Sequence, residues 1–228
     1  MIFARESEME APVRHWLRRE GLQIKGEFAL PWGICDFVGL SFNSSRVSRR
    51  LKFGQSQAIG PLRRIKLLDR IPDHESGLAI SFLQLQQMYN DSPYAPILAN
   101  EIRKLLAGRF IIQNENGLLQ KQNGWAPLHE RIVAVEIKLS RVSEALGQAI
   151  SHRVFATESY IAMPAKLADK LVKSVRSLEF CNAGVGILAV TRRTCKLLLP
   201  ASQTGIRPEF TLQMHCAERF WRTRDNSS

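Results

Sequence analysis

The sequence predicts an α/β protein with a mixed central sheet flanked by helices. Three observations predict it. RIVAVEIKL (Arg131 to Leu139) and VGILAV (Val185 to Val190) are β-branched, apolar runs of the kind that fill buried strands. Segments with helical periodicity alternate with them, as a helix-covered sheet requires. LQIKGEFALPWGICDFVGL (Leu22 to Leu40) has β-favouring residues on both sides of the turn signal Pro31-Trp32-Gly33, which predicts a hairpin with Asp36 on its second strand.

In chain order, Met9, Val13, Trp16 and Leu17 fall at helical spacing between Glu6 and Glu20, and Gly21 follows as a stop signal, so an amphipathic helix precedes the hairpin. From Ser44 to Arg70 basic residues accumulate against the single acid Asp69, with glycines and serines between, which predicts a basic and partly irregular connection. Gly77 to Tyr89 and Ala95 to Gly108 have helical periodicity, and Arg109 to Trp125 carries a hairpin turn at Asn116-Gly117. Helix, helix and two-stranded ribbon together have the layout of a winged helix. A helical cap over a sheet edge satisfies the same pattern. After the strand at Arg131 to Leu139 come a helix through SEALGQAISHRVFATES, a strand at YIAMP (Tyr160 to Pro164), a helix over 165–177 and the strand at Val185 to Val190. The Arg/Ser-rich tail past Phe220 is expected to fray. The expected organisation is a core in two parts, 1–70 and 129–228, around an inserted helical or winged-helix-like module at 71–128.

The 228 residues hold 32 Lys plus Arg against 21 Asp plus Glu, a net charge of +11, so a polyanion is the natural partner. No uncharged apolar stretch approaches the ~20 residues of a bilayer-spanning helix, and MIFARESEMEAPVR lacks the apolar stretch of a secretory signal, so a cytoplasmic location is expected. Cys35, Cys181, Cys195 and Cys216 form no CxxC pair, which leaves reduced, mostly buried thiols rather than a zinc cluster or disulfide framework.

The chemistry concentrates in VEIKL. Side chains alternate across a sheet, so Glu136 and Lys138 share a face while Ile137 points to the other. A carboxylate and an ammonium at the end of an apolar strand are costly to bury without partners, so they belong at a cleft. With Asp36 on a neighbouring strand they have the composition of a site for a hard divalent cation. His15, His74, His129 and His215 show no ligand spacing. His152 and Arg153, one turn past Gln148, are within reach of a phosphate, although such a helix-face pair is more often only solvated.

On these residues the chain resembles the restriction-endonuclease-like PD-(D/E)XK superfamily of phosphodiesterases and nucleases, with an Asp on one hairpin strand and E-x-K on the next. ESEMEAPVRHWLRREGLQIKGEF, CDFVGL, VAVEIKL, LGQAISHR, YIAMP and GVGILAV resemble successive blocks of small bacterial members, covering most of Glu6 to Leu40 and Ile132 to Val190. The resemblance implies a restriction-endonuclease-like core and a Mg²⁺-dependent (or Mn²⁺-dependent) nuclease. Asp36, Glu136 and the Ile137 carbonyl would be metal ligands, and Lys138 would orient the attacking water. Glu6 matches the acidic position of the first helix, in competition with Glu8 and Glu10. Gln148 matches a glutamine near the metal-bound phosphate. Cys35 stands where the family's proline would, and Glu27 reads as a strand-solvating carboxylate.

DNA is the expected substrate, with Arg46, Arg49, Arg50, Lys52, Arg63, Arg64, Lys66 and Arg153 as phosphate contacts, one helix (Ala95 to Leu106) in the major groove and Phe110 to Gln122 as the wing. An RNA endonuclease would share every catalytic residue. A nucleic-acid-binding regulator on a nuclease scaffold is the reading from a different class. Many relatives act as dimers, so a homodimer is an option for the assembly, but resemblance of the core does not transfer it.

Overall fold

The computed structural model describes residues 3–31, 33–90, 93–122, 125–202 and 207–222. Trp32 of the predicted hairpin turn and the last residues of the basic tail, 223–228, lie outside them. The chain divides into two compact units, Met1–Ser41 with His129–Phe210, and Phe42–Leu128 with Thr211–Ser228. The second unit therefore begins at residue 42 rather than 71, and it takes in the C-terminal segment that the sequence reading assigned to the core.

The first unit opens with a 3-10 turn, Glu6–Met9, that runs into α1, Glu10–Arg19. Pro12 falls in the first turn of α1, where its missing N–H costs nothing, and Met9, Val13, Trp16 and Leu17 are buried. β1 (Gln23–Leu30) and β2 (Gly33–Phe42) form the antiparallel hairpin in one register, with Gln23 opposite Leu40 and Leu30 opposite Gly33.

The second unit begins where the irregular connection was expected and is helical instead. α2 (Ser44–Lys52) is capped by Asn43, whose Oδ1 accepts from Arg46 N at 3.0 Å. α3 (Leu62–Arg70) buries Ile65, Leu67 and Leu68. Arginine and lysine are good helix formers, and their charge hid the apolar stripe beneath. α4 is shorter than the periodicity suggests, Phe82–Met88, because Ser81 and Gln84 close a capping box that fixes its start. A 3-10 turn at Ala95–Ile97 leads into α5, Leu98–Ala107, and β3 (Ile111–Gln113) pairs antiparallel with β4 (Leu119–Lys121) around a turn whose Gly117 has φ +76°. Ile80 makes an isolated antiparallel bridge to Leu119 beside this two-stranded ribbon.

The chain then returns to the first unit as β5 (His129–Ile137), followed by α6 (Val142–His152), β6 (Glu158–Pro164), α7 (Ala165–Val172), α8 (Ser177–Ala183), β7 (Val185–Val190) and β8 (Cys195–Leu199). The sheet order is β1-β2-β5-β6-β7-β8. β5, β6 and β7 are parallel, and β8 closes the sheet antiparallel to β7. β2 and β5 run in opposite directions, since Asp36 meets Ile137 at one end and Ser41 meets Arg131 at the other. One sheet face packs Phe37, Val135, Ile137 and Tyr160 with Val13, Trp16 and Leu17 of α1. The other packs Ile161, Met163 and Ile187 with Ala145 and Ala149 of α6 and Phe180 of α8.

Finally α9, Phe210–Trp221, supplies most of the second unit's C-terminal segment. Its Met214 joins the cluster of Ile65, Leu68, Leu85, Leu105 and Phe110. The sequence predicts no element here, yet α9 runs to Trp221, which is buried; of the tail expected to fray, residues 223–228 lie outside the described residues. Among the described residues no helix is long and apolar enough to cross a membrane.

Candidate functional site

β5 carries its charged residues at the end where β2 begins. A side-chain carboxylate oxygen of Asp36, Oδ2, accepts the backbone N–H of Ile137 at 2.7 Å. Glu136, 2% exposed, receives Lys138 Nζ on Oε1 at 3.1 Å and lies 3.2 Å through Oε2 from His152 Nε2 of α6. Glu6, at the start of the 3-10 turn, accepts the N–H of Leu139 on Oε1 at 3.2 Å. Residues 36, 136, 138 and 6 thus meet at one end of the β2–β5 pair.

Electrostatics tie the four together. Burial raises the Asp36 carboxyl from 3.8 to about 6; the Ile137 N–H and the Lys138 ammonium oppose the rise, and the charges of Glu136 and Glu6 add to it. Burial pushes the Lys138 ammonium down, but its hydrogen bond to Glu136 and the charges of Glu136, Glu6 and Asp36 outweigh that and hold it above its ordinary range. Lys138 is therefore a fixed cation at neutral pH. The Cys35 thiol is pushed well up, first by burial and then by Glu136 and Asp36.

A cleft of about 410 Å³ adjoins this end, lined by Glu6, Glu10, Arg14, Gly26, Glu27, Asp36, Phe37 and Ile137. Glu136 and Lys138 are not among its lining residues; they are in contact with each other and act on Asp36 through their charges. Two donor sets can hold a cation. Asp36, Glu6 and the backbone of Ile137 offer hard oxygens at the cleft. Cys35, Glu136 and His152, all buried, place one donor atom each within 4.8 Å of one another, a mixed sulfur, oxygen and nitrogen set suited to a softer ion.

No protein-family model matches the chain, and no curated protein does. One solved structure to which it is similar is the SPO1766 protein of unknown function from Silicibacter pomeroyi, with a TM-score of 0.41 and 12% identity over 100% of this chain and 97% of that one.

The predicted residues fare differently. Of the three helix acids, Glu6 and Glu10 line the cleft, whereas Glu8 accepts the N–H of Ala4 at 3.2 Å. Gln148 lies on α6 one turn before His152; no contact ties it to Asp36, and its Oε1 is buried without a hydrogen-bond partner among the described residues. Arg153 does not reach outward for a phosphate. It is 4% exposed and holds the carbonyls of Ala183 and, at 3.2 Å, Ser202.

Arg50, also expected at a phosphate, is fully buried in the second unit, where it pairs with both oxygens of Glu218 and donates to the carbonyls of Gln55 and Gln57 at 3.0 and 2.7 Å. Arg64 is mostly buried against Glu101, while Arg49 reaches Glu75 at 3.4 Å and Arg46 reaches the carbonyl of Pro127 at 3.1 Å, both from exposed positions. Lys52, Arg63 and Lys66 are exposed.

Two participants escaped sequence reasoning. The helix-face position of His152 suggests solvation or a phosphate contact, whereas its ring lies against Glu136, sixteen residues back on the strand. Glu27, read as solvating its strand, lines the cleft with φ +47° at the position that the register sets opposite Asp36. A side-chain-bearing residue at positive φ is uncommon outside turns, and no sequence signal announces it.

Proposed function

We propose that the chain is a metal-dependent phosphodiesterase, a nuclease of the PD-(D/E)XK type that hydrolyses DNA. The observation that carries this reading is the meeting of Asp36, Glu136, Lys138 and Glu6 at one end of the β2–β5 pair. The order of elements supports a restriction-endonuclease-like core. A helix is followed by three antiparallel neighbours, β1, β2 and β5, then by α6 and a strand parallel to β5.

The donor set fits Mg²⁺ or Mn²⁺. Asp36 Oδ1 and Glu6 Oε2 accept no hydrogen bond among the described residues, and the Asp36 carboxyl titrates near 6 in a setting that a cation would relieve. Asp36, Glu136 and the Ile137 carbonyl would hold the ion, with Glu136 giving up one of its present partners. When bound, the ion supplies Lewis acidity toward a phosphoryl oxygen and an attacking water. The rest of the chemistry belongs to the chain. Lys138 stays protonated, so it orients the water and stabilises developing negative charge instead of acting as a base. Asp36 must be ionised to serve, so protonation of its raised carboxyl competes with the cation as pH falls through about 6.

DNA as the substrate is supported by the second unit, where α3, α4, α5 and the β3–β4 ribbon follow one another in the order of a winged helix, with an isolated bridge from Ile80 to Leu119. The test compares single-stranded, duplex and branched DNA and RNA with Mg²⁺ or Mn²⁺, using wild type, Asp36→Ala and Lys138→Ala. Wild type cleaves DNA, and each variant loses at least about a thousandfold in rate while still binding. Full activity in either variant overturns the assignment, and preferential cleavage of RNA favours an RNA endonuclease. One observation favours a non-catalytic nucleic-acid-binding regulator: both Glu136 oxygens are engaged and its side chain is buried. No cleavage of any substrate by wild type would support that reading.

A further inference from the structure

A second cavity, of about 830 Å³, lies in the first unit across the carboxyl ends of the parallel strands. Its lining includes Leu139, Pro164 and Val190, each at or just past the end of β5, β6 and β7. In open α/β sheets this edge is where ligands bind, and the volume falls within the ~300–1,000 Å³ of ligand sites. Lys166 and Lys170 of α7 and Arg192 and Arg193 of the β7–β8 turn stand around this apolar lining. All four are exposed, and none enters an ion pair among the described residues. No carboxylate lines the cavity among the described residues. The turn that carries the arginines is fixed by Thr191 Oγ1, which accepts from Arg193 N at 3.3 Å and Thr194 N at 3.0 Å.

Four unpaired cations around an apolar floor select an anion that also presents flat apolar surface. The cavity adjoins the candidate catalytic end through Leu139, whose N–H is held by Glu6. We infer that this cavity is a binding site for a nucleic-acid strand, with phosphates on Lys166, Lys170, Arg192 and Arg193 and base and sugar against the apolar lining, leading the strand to the Asp36 end of the sheet. The path to that end rests on the proposed nuclease reading; the binding site itself does not require cleavage.

The test measures binding of a labelled single-stranded oligonucleotide by fluorescence anisotropy in EDTA, where cleavage plays no part. Arg192→Ala/Arg193→Ala and Lys166→Ala/Lys170→Ala each weaken binding by about tenfold, and each flattens the salt dependence of log Kd by about 1.4, the value for two lost contacts to a single strand. Arg192→Lys/Arg193→Lys retains most of the affinity. Unchanged affinity and salt slope in both neutralised pairs overturn the inference, as does the absence of any strand binding by wild type. Competition by a mononucleotide or inorganic phosphate as strong as that by the strand also overturns it, since the ligand is then a small anion. If the nuclease reading fails, wild type does not cleave with Mg²⁺ or Mn²⁺ while these binding losses persist. If only the strand site fails, cleavage persists and the neutralised pairs bind as wild type does.

Discussion

Asp36 couples the site to pH. Its carboxyl rises from 3.8 to about 6 on folding, so between those values the native chain holds more protons than the unfolded one. Stability contributed by this group is therefore full at low pH and falls as pH rises through that window, the reverse of a salt-bridged aspartate. At about 1.4 kcal/mol per tenfold change in proton affinity, and with discount for partial solvation, the ionised group costs on the order of 2 kcal/mol at neutral pH. Asp36→Asn should stabilise the metal-free protein by about that amount near pH 7.5 and by much less near pH 4, as read from urea unfolding. Equal effects at both pH values would show that the carboxyl is not perturbed. Glu27, at φ +47° opposite Asp36, gives a second test at this scale. A glycine tolerates that backbone, so Glu27→Gly should raise stability by about 1 kcal/mol while weakening Mg²⁺ binding measured by calorimetry. A stability loss would mean that the side chain, not the backbone, matters to the fold.

Among the elements, β5 and β7 were legible because their apolar runs exceed what surface segments carry, and Asp36 was placed correctly because the hairpin's register follows from its two ends. α2 and α3 were not legible, since their outward arginines and lysines outnumber the buried Ile65, Leu67 and Leu68. The charge suggests a partly irregular connection and phosphate contacts, yet Arg50 is buried within the second unit, 5.1 Å from the centre of the Phe110 ring and 4.9 Å from that of Trp221. Its partner Glu218 stands 168 residues away on a helix that the sequence reading did not anticipate, which is why pairing was invisible from local pattern. The Cys35, Glu136 and His152 convergence was hidden for the same reason. Burial makes the Arg50 pair consequential in one direction. Glu218 also accepts the N–H of Ile59 at 2.7 Å, so Glu218→Ala leaves a guanidinium and an amide uncompensated and should cost about 3–5 kcal/mol in chemical unfolding. A cost below about 1 kcal/mol would mean that water reaches Arg50.

For the whole molecule the decisive quantities are the net charge of +11 and the size of the buried clusters. Each unit has its own apolar core, and the candidate metal ligands lie at the end of a sheet already closed by side chains on both faces. A structural metal in a small domain supplies folding free energy outright, whereas this arrangement would leave a bound ion only an electrostatic task. Removal of divalent cations with EDTA should therefore abolish cleavage while leaving the far-ultraviolet circular dichroism unchanged and shifting Tm by no more than a few degrees. Because a bound cation relieves repulsion among Asp36, Glu136 and Glu6, restoring Mg²⁺ should raise Tm with the ion's concentration, more strongly at pH 7.5 than near pH 5, where Asp36 is largely protonated. Unfolding on chelation would assign the ion a structural role and point to the buried Cys35, Glu136 and His152 set as its seat. A Mg²⁺-dependent Tm shift that persists at full size in Asp36→Asn would place the hard-cation site elsewhere.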